Sequence, residues 1–219
     1  MKAAFPDLHV FASLIKEVTV RNVDKKLESF KETIIQETRR CYETESLKDE
    51  PLFRAYRDFF WRIEVDPTKN RPAAEALIRR VVAGRSLPCI NTLVDAYNLA
   101  SIKTGIAIAA FDADRLQGEL IMRYAEEDEK FLGIGMKRPA LLQGREIVVQ
   151  DREKLVAIYP YRDADDSKVA EATRNVLLLF CGVPGISVRR LADASKVASE
   201  YIARFCGAAV KVKNPKESR

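Results

Sequence analysis

The feature that most limits what this 219-residue chain can fold into is a change of periodicity at Gly105. Before it, apolar residues recur every three or four positions; after it come short β-prone runs. Leu27, Phe30, Ile34 and Cys41 fall at spacings of three, four and seven, which predicts a helix from Asp24 to about Glu43. Pro51 suits a first helical turn and opens a second helix. Leu52, Tyr56, Phe59 and Ile63 lie on its apolar side, and Arg54, Arg57 and Arg62 face solvent. VDPTKNRP reads as a linker, AAEALIRRVVAG as a third helix closed by Gly84, and CINTLVDAYNLASIK as a further helical segment.

Beyond Gly105, IAIAAF, GELIMRYA, REIVVQD and KLVAIYPY read as strands separated by turn residues. DSKVAEATR opens with an acidic, Ser-containing cap and leads into NVLLLFCG, a buried strand. At the N-terminal end, Leu8 to Val20 predicts a strand or two. A last helix runs from about Ser187 to Phe205, and the tail from residue 208 is expected to fray. Helices, then strands, then a closing helix describe an α+β layered fold. At this length the expectation is one domain over residues 1–219, with residues 1–50 as an N-terminal extension packed on it.

Hydrophobic content of 47% and charged content of 32% are ordinary for a globular chain, and no run has the ~20 apolar residues that a membrane span requires. A cytoplasmic protein without membrane association is expected. Cys41, Cys89, Cys181 and Cys206 are far apart, without the close pairs of a zinc site, so they read as small buried hydrophobes and no metal or cofactor is expected. His9 is the single histidine and reads as structural or surface. The net charge of +5 permits a polyanionic partner without requiring one.

Function is concentrated between Arg79 and Arg123. Asn91, Asp95 and Asn98 are spaced four and three apart and share a helical face, with Thr92 and Ser101 close by. A purely structural helix has little use for such a stripe. Either it braces a neighbouring loop, or its donors and acceptors hold the amino and carbonyl groups of a small polar ligand. Asp112 and Asp163 can bind a water or an ammonium group, or else cap turns. Arg123 and Arg162 can receive a phosphate or carboxylate, or else bridge loops. Lys69, Arg71, Arg79, Arg80 and Arg85 surround one linker and the helix after it. They offer phosphate neutralisation, with a salt-bridged solvated face around Glu75 as the competing reading.

The stretch INTLVDAYNLAS, followed by AAFDADRLQGELIMRYAEEDEKF and then REIVVQD, resembles the B3/B4 domain of the phenylalanyl-tRNA synthetase β subunit. It resembles more closely the stand-alone B3/B4 proteins, in which DPTKNRPAAEALIRRVVAGRSLP precedes that core and YRDADDSKVAEATRNVLLL follows it. The resemblance covers about residues 50 to 185 and implies a three-layer B3/B4-like α+β fold containing a β-sandwich of unusual topology. In the synthetase that domain hydrolyses tyrosine wrongly attached to the phenylalanine tRNA. The resemblance therefore implies tRNA or aminoacyl-tRNA as partner, or a free amino acid. The residue reading then places the expected aminoacyl pocket at Asn91, Asp95, Asn98, Ser101, Arg123 and Arg162. Asn98 matches the family's pocket Asn. The position of the editing His is Ala109 and that of the pocket Glu is Leu179, so catalysis, if retained, must rest on other groups such as Asp112 or Asp163. The alternative is a non-catalytic tRNA or amino-acid binding protein that keeps the pocket.

Overall fold

A computed structural model describes residues 4–207; the expected frayed tail lies outside the described residues. The chain runs from β1 (Val10–Ile15) into α1 (Lys25–Cys41), α2 (Pro51–Arg62), α3 (Ala73–Val82) and α4 (Thr92–Thr104). Strand β2 (Ala107–Asp112) follows, and then β3 (Ile121–Tyr124), β4 (Glu127–Phe131), β5 (Ala140–Gln143), β6 (Ile147–Gln150), β7 (Leu155–Ile158), β8 (Arg162–Asp163) and β9 (Val176–Cys181). Helix α5 (Val188–Cys206) closes the described chain.

Local chemistry sets these limits. The Asp24 carboxylate accepts from the N–H groups of Lys26 and Leu27 and starts α1. Pro51 occupies the first turn of α2, where a missing N–H costs nothing. Asn91 caps α4 through the N–H groups of Leu93 and Val94. Gly105, with φ of 72°, ends the same helix in the left-handed region and donates to the Ser101 carbonyl at 2.8 Å. This reversal turns α4 directly into β2.

Three antiparallel sheets are stacked beside the helices, in strand orders β1-β9-β2, β3-β6-β7-β8 and β4-β5. Helix α5 packs on β1, β9 and α4, and α4 in turn packs on α1 and α3. Alternation along β6 and β7 divides the interior. Ile147, Val149 and Val156 join the main core with Phe111, Phe180 and Leu178, whereas Val148 and Ile158 join Ala125, Phe131, Leu142 and Ala164 in a smaller cluster. The N-terminal strand pairs along its whole length with β9, from Val10↔Cys181 to Ile15↔Val176.

Several expectations are corrected. The acidic, Ser-containing start of DSKVAEATR caps no helix; the stretch forms turns and an isolated bridge, because Ser167 and Lys168 lie against the free edge of β2. Cys41 and Cys89 are exposed, and only Cys181 and Cys206 are buried. Arg57 does not face solvent; it bonds Glu75, as does Arg79, and Glu75 is wholly buried between the two guanidiniums.

Candidate functional site

Most of the polar stripe on α4 is engaged within the protein. Asn91 is the helix cap described above. Asp95, 2% exposed, accepts from Lys31 Nζ of α1 at 2.6 Å and from the Ile90 N–H at 3.1 Å. Burial would depress the Lys31 ammonium, but hydrogen bonds to Asp95 and Glu28 hold it above the ordinary lysine value. Ser101 donates to the Ile106 carbonyl at 2.6 Å and braces the α4–β2 turn. Asn98 differs: it is half-buried and its amide has no hydrogen bond among the described residues.

The two carboxylate candidates also part company. Asp112 accepts from Thr173 Oγ1 at 2.7 Å and from the Asp114 N–H at 3.1 Å, with Arg115 Nε 3.7 Å away. It holds the turn after β2. Asp163 on β8 is only partly exposed and ringed by protein. Its backbone pairs with Ala157 and accepts from the Ile134 N–H. Burial lifts its carboxyl from 3.8 to about 7, against the opposing pull of the Ala110 N–H and the Arg162 guanidinium.

The fold explains why the Ala110 N–H lies near this carboxyl. Strand β2 is an edge of its sheet, so its outward N–H groups find no strand partner there. Asp112 N–H points outward to the Ser167 carbonyl, and Ala110, two residues earlier, points the same way. Tyr97 of α4 lies within the field of both Asp163 and Asp95. Burial, reinforced by these two carboxylates, raises its hydroxyl well above the ordinary range. Cys181 is pushed up by burial, with Asp163 adding to it. One partly accessible corner therefore gathers Asp163, the edge of β2 at Ala110, and Tyr97, with Asn98 next along α4. A carboxyl titrating near neutrality beside a fixed N–H can take up and return a proton.

The remaining residues lie elsewhere. Arg123 makes a two-pronged pair with Glu129 at 2.9 and 2.6 Å and bonds Gln150 at 2.6 Å, tying β3 to β4 and β6. Arg162 is exposed and reaches the Ile134 carbonyl at 3.3 Å. Within the basic group, Arg79 bonds Glu75 and the Thr44 carbonyl, and Arg80 bonds the Ser86 carbonyl. Lys69, Arg71 and Arg85 are exposed without a side-chain partner among the described residues. Glu28, Cys89 and Asp95 bring potential metal-binding atoms within 4.8 Å of one another. Lys31 hydrogen-bonds both carboxylates and already supplies a positive charge to them.

Sequence reasoning missed Lys31, which lies 64 residues from Asp95, and Tyr97 and Ala110, whose roles depend on an edge strand that local patterns do not reveal. A lysine at the inward spacing of α1, four residues after Leu27, was the one available signal.

Comparison with known proteins places this geometry in a family. The B3/4 domain profile matches residues 55–209. The phenylalanine–tRNA ligase beta subunit of Thermotoga maritima is 32% identical over 162 residues, covering 68% of this chain and 20% of that protein. That of Synechocystis sp. is 28% identical over 144 residues, covering 63% and 18% respectively. The chain thus spans about a fifth of the length of these curated relatives. Among solved structures, an N-terminal fragment of the phenylalanyl-tRNA synthetase beta-subunit from Pyrococcus horikoshii superposes with a TM-score of 0.50 at 15% identity, covering 95% of this chain and 47% of that one. This is a likeness of fold, and it matches the stacked antiparallel sheets and flanking helices described above. The chain belongs to the B3/4 domain family.

Proposed function

We propose that this chain is a tRNA-directed module that receives the aminoacyl end of a tRNA and hydrolyses a wrongly attached amino acid in trans. The reading is carried by Asp163, a part-buried carboxyl on β8 near the β2 edge at Ala110, which burial lifts to about 7. At neutral pH such a group is part ionised, so it can take a proton from a water attacking the ester carbonyl carbon. The tetrahedral intermediate then collapses, the ribose oxygen leaves, and Asp163 returns the proton to it. The unengaged Asn98 amide is a donor for the carbonyl oxygen or an acceptor for the α-ammonium group. Support for RNA as the carrier of the ester comes from the relatives' identity as tRNA ligase subunits, the net charge of +5, and the exposed Lys69, Arg71 and Arg85.

The direct test is to incubate purified protein with a panel of mischarged tRNAs. Release of amino acid from at least one is expected, with Asp163→Asn slowing it about 10²–10⁴-fold. If none is deacylated faster than in buffer, the hydrolytic reading is lost.

A second reading, binding of tRNA or a free amino acid without turnover, is favoured by one observation. Ala109 and Leu179, the positions that resemble the synthetase's His and Glu, are both apolar and are direct partners across β2 and β9. Under this reading Asn98→Ala weakens ligand binding and the parent shows no turnover. Salt-sensitive tRNA binding is expected wherever tRNA is the ligand; its absence would leave only a small-molecule ligand such as a free amino acid.

A further inference from the structure

Trp61 is the only tryptophan in the chain, and it is 56% exposed at the end of α2, where its neighbours Phe59 and Phe60 are buried. At 100° per residue, Arg54, Asp58 and Trp61 fall in one narrow arc of α2, and Arg62 lies beside it. Against this arc the surface is concave. A cavity of about 390 Å³ has Pro51, Ala55, Phe59 and Pro184 as apolar lining and Asp49, Arg54, Asp58 and Arg62 as polar walls. The exposed indole stands on the same helix as the groove instead of packing into the core.

The surrounding charge is unequally compensated. Arg62, Lys69 and Arg71 have no carboxylate partner among the described residues, and Arg54 reaches Asp49 only at 3.5 Å. On the acidic side, Glu64 is taken up by Arg145 at 2.6 Å and Asp66 is held by Thr68, which leaves Asp58 and the loosely held Asp49. The connection that carries Lys69 and Arg71 begins on this helix end: Glu64 N–H bonds the Trp61 carbonyl and Val65 N–H bonds that of Phe60. Lys69 and Arg71, together with Arg62, whose guanidinium lies 4.8 Å from the centre of the Phe5 ring, thus accompany one large exposed ring. This is the combination that binds an unpaired nucleotide, whose base offers a flat face to the ring and whose phosphates need neutralising.

We propose that Trp61 is a stacking platform for an unpaired base of the bound RNA, with Arg62, Lys69 and Arg71 neutralising the flanking phosphates. The proposal rests on the tRNA reading above and adds to it a second contact, on α2. A duplex hides its base faces, so the platform distinguishes single-stranded from paired RNA.

Because the chain has a single indole, its emission reports this contact directly. The full chain is titrated with a short single-stranded RNA and with the same sequence as a blunt duplex, while tRNA binding is followed separately by the anisotropy of a labelled tRNA. The single strand is expected to quench Trp61 emission and the duplex to leave it nearly unchanged. Trp61→Ala should lose about tenfold in single-strand affinity and Trp61→Phe should retain most of it. Lys69→Ala with Arg71→Ala should flatten the slope of log affinity against log salt by about 1.4. Far-UV circular dichroism checks that these exposed-site variants are folded. If tRNA binds while the emission and the Trp61→Ala affinity stay at parental values, the stacking platform is overturned and the tRNA reading stands. If no RNA binds at low salt, both are overturned. Equal quenching by duplex, or quenching that follows protein concentration without RNA, also overturns it, the latter because the groove then takes a second copy of the chain.

Discussion

Ala109 of β2 and Leu179 of β9 are direct cross-strand partners, and both side chains are buried. Partners in an antiparallel pair share a sheet face, so their side chains are immediate neighbours. An ionisable group placed at one position alone meets only an apolar opposite. Leu179→Glu is therefore expected to cost about 2–4 kcal/mol. The double variant Ala109→His/Leu179→Glu should recover part of that loss, because opposite charges then face each other. A double-mutant cycle by urea denaturation measures the coupling; strictly additive losses would show that the two side chains do not meet.

Asp163 sets a pH dependence of stability. Its folded-state carboxyl is raised from 3.8 to about 7, so ionisation is harder in the folded chain than in the unfolded one. The stability it contributes is complete below its unfolded value and is lost as pH rises through about 7. Asp163→Asn should match the parent near pH 4 and exceed it by about 1–2 kcal/mol near pH 8, after allowance for partial solvent access. Denaturation midpoints that run parallel for parent and variant from about pH 4 to 8 would contradict the assignment. In a deacylation assay the same group should make the rate climb through neutrality.

The Lys31–Asp95 pair should behave as a structural ion pair. Both are almost wholly buried, at 5% and 2% exposed. Lys31→Met strands the Asp95 charge with the Ile90 N–H as its remaining contact, for a cost of about 3–5 kcal/mol. Lys31→Met combined with Asp95→Leu should regain most of this, since no buried charge is left. Ligand affinity, by contrast, should respond to Asn98→Ala. Chemical denaturation of the three variants decides the point, and a single-variant loss no larger than that of a surface substitution would refute it.

These contrasts show what was legible in the sequence. The helices announced themselves through apolar spacing and through Asp24, Pro51, Gly84 and Gly105 at their ends, all signals carried within one or two turns. Strand β4 did not: Glu127–Phe131 is charged and mostly exposed, with a register shift between Glu127 and Lys130 and a positive φ at Asp128. No alternation survives such a bulge. Strand β8 is two residues long and offers no pattern to read. For the site, the unusual polarity of Asn91, Asp95 and Asn98 was visible, but its division into a cap, an ion pair and an unengaged amide was not. Those roles depend on Lys31 and on the course of α1. Asp163 stood out as a carboxylate in a turn-rich segment; its raised pKa comes from β2, α4 and β9 closing around it.

Tyr56 provides a test of how the sheet edge is held. Its ring is fully buried in α2, and its hydroxyl donates to the Cys181 carbonyl at 2.6 Å while accepting from the Ala107 N–H at 3.1 Å. Ala107 and Cys181 are themselves the end pair of the β2–β9 register, so the hydroxyl sits between two backbone groups that would otherwise bond to each other or to water. Tyr56→Phe keeps the ring and orphans both groups in a dry interior, at an expected cost of about 2–4 kcal/mol. Tyr159→Phe is the internal comparison. Its hydroxyl donates to the Gly182 carbonyl alone, so one acceptor is lost, for about 1–2 kcal/mol. Urea midpoints rank the two, and hydrogen exchange at the Ala107 amide should accelerate in Tyr56→Phe and stay slow in Tyr159→Phe. If the two variants lose equal stability and Ala107 remains protected in both, the hydroxyl does not bridge the strands.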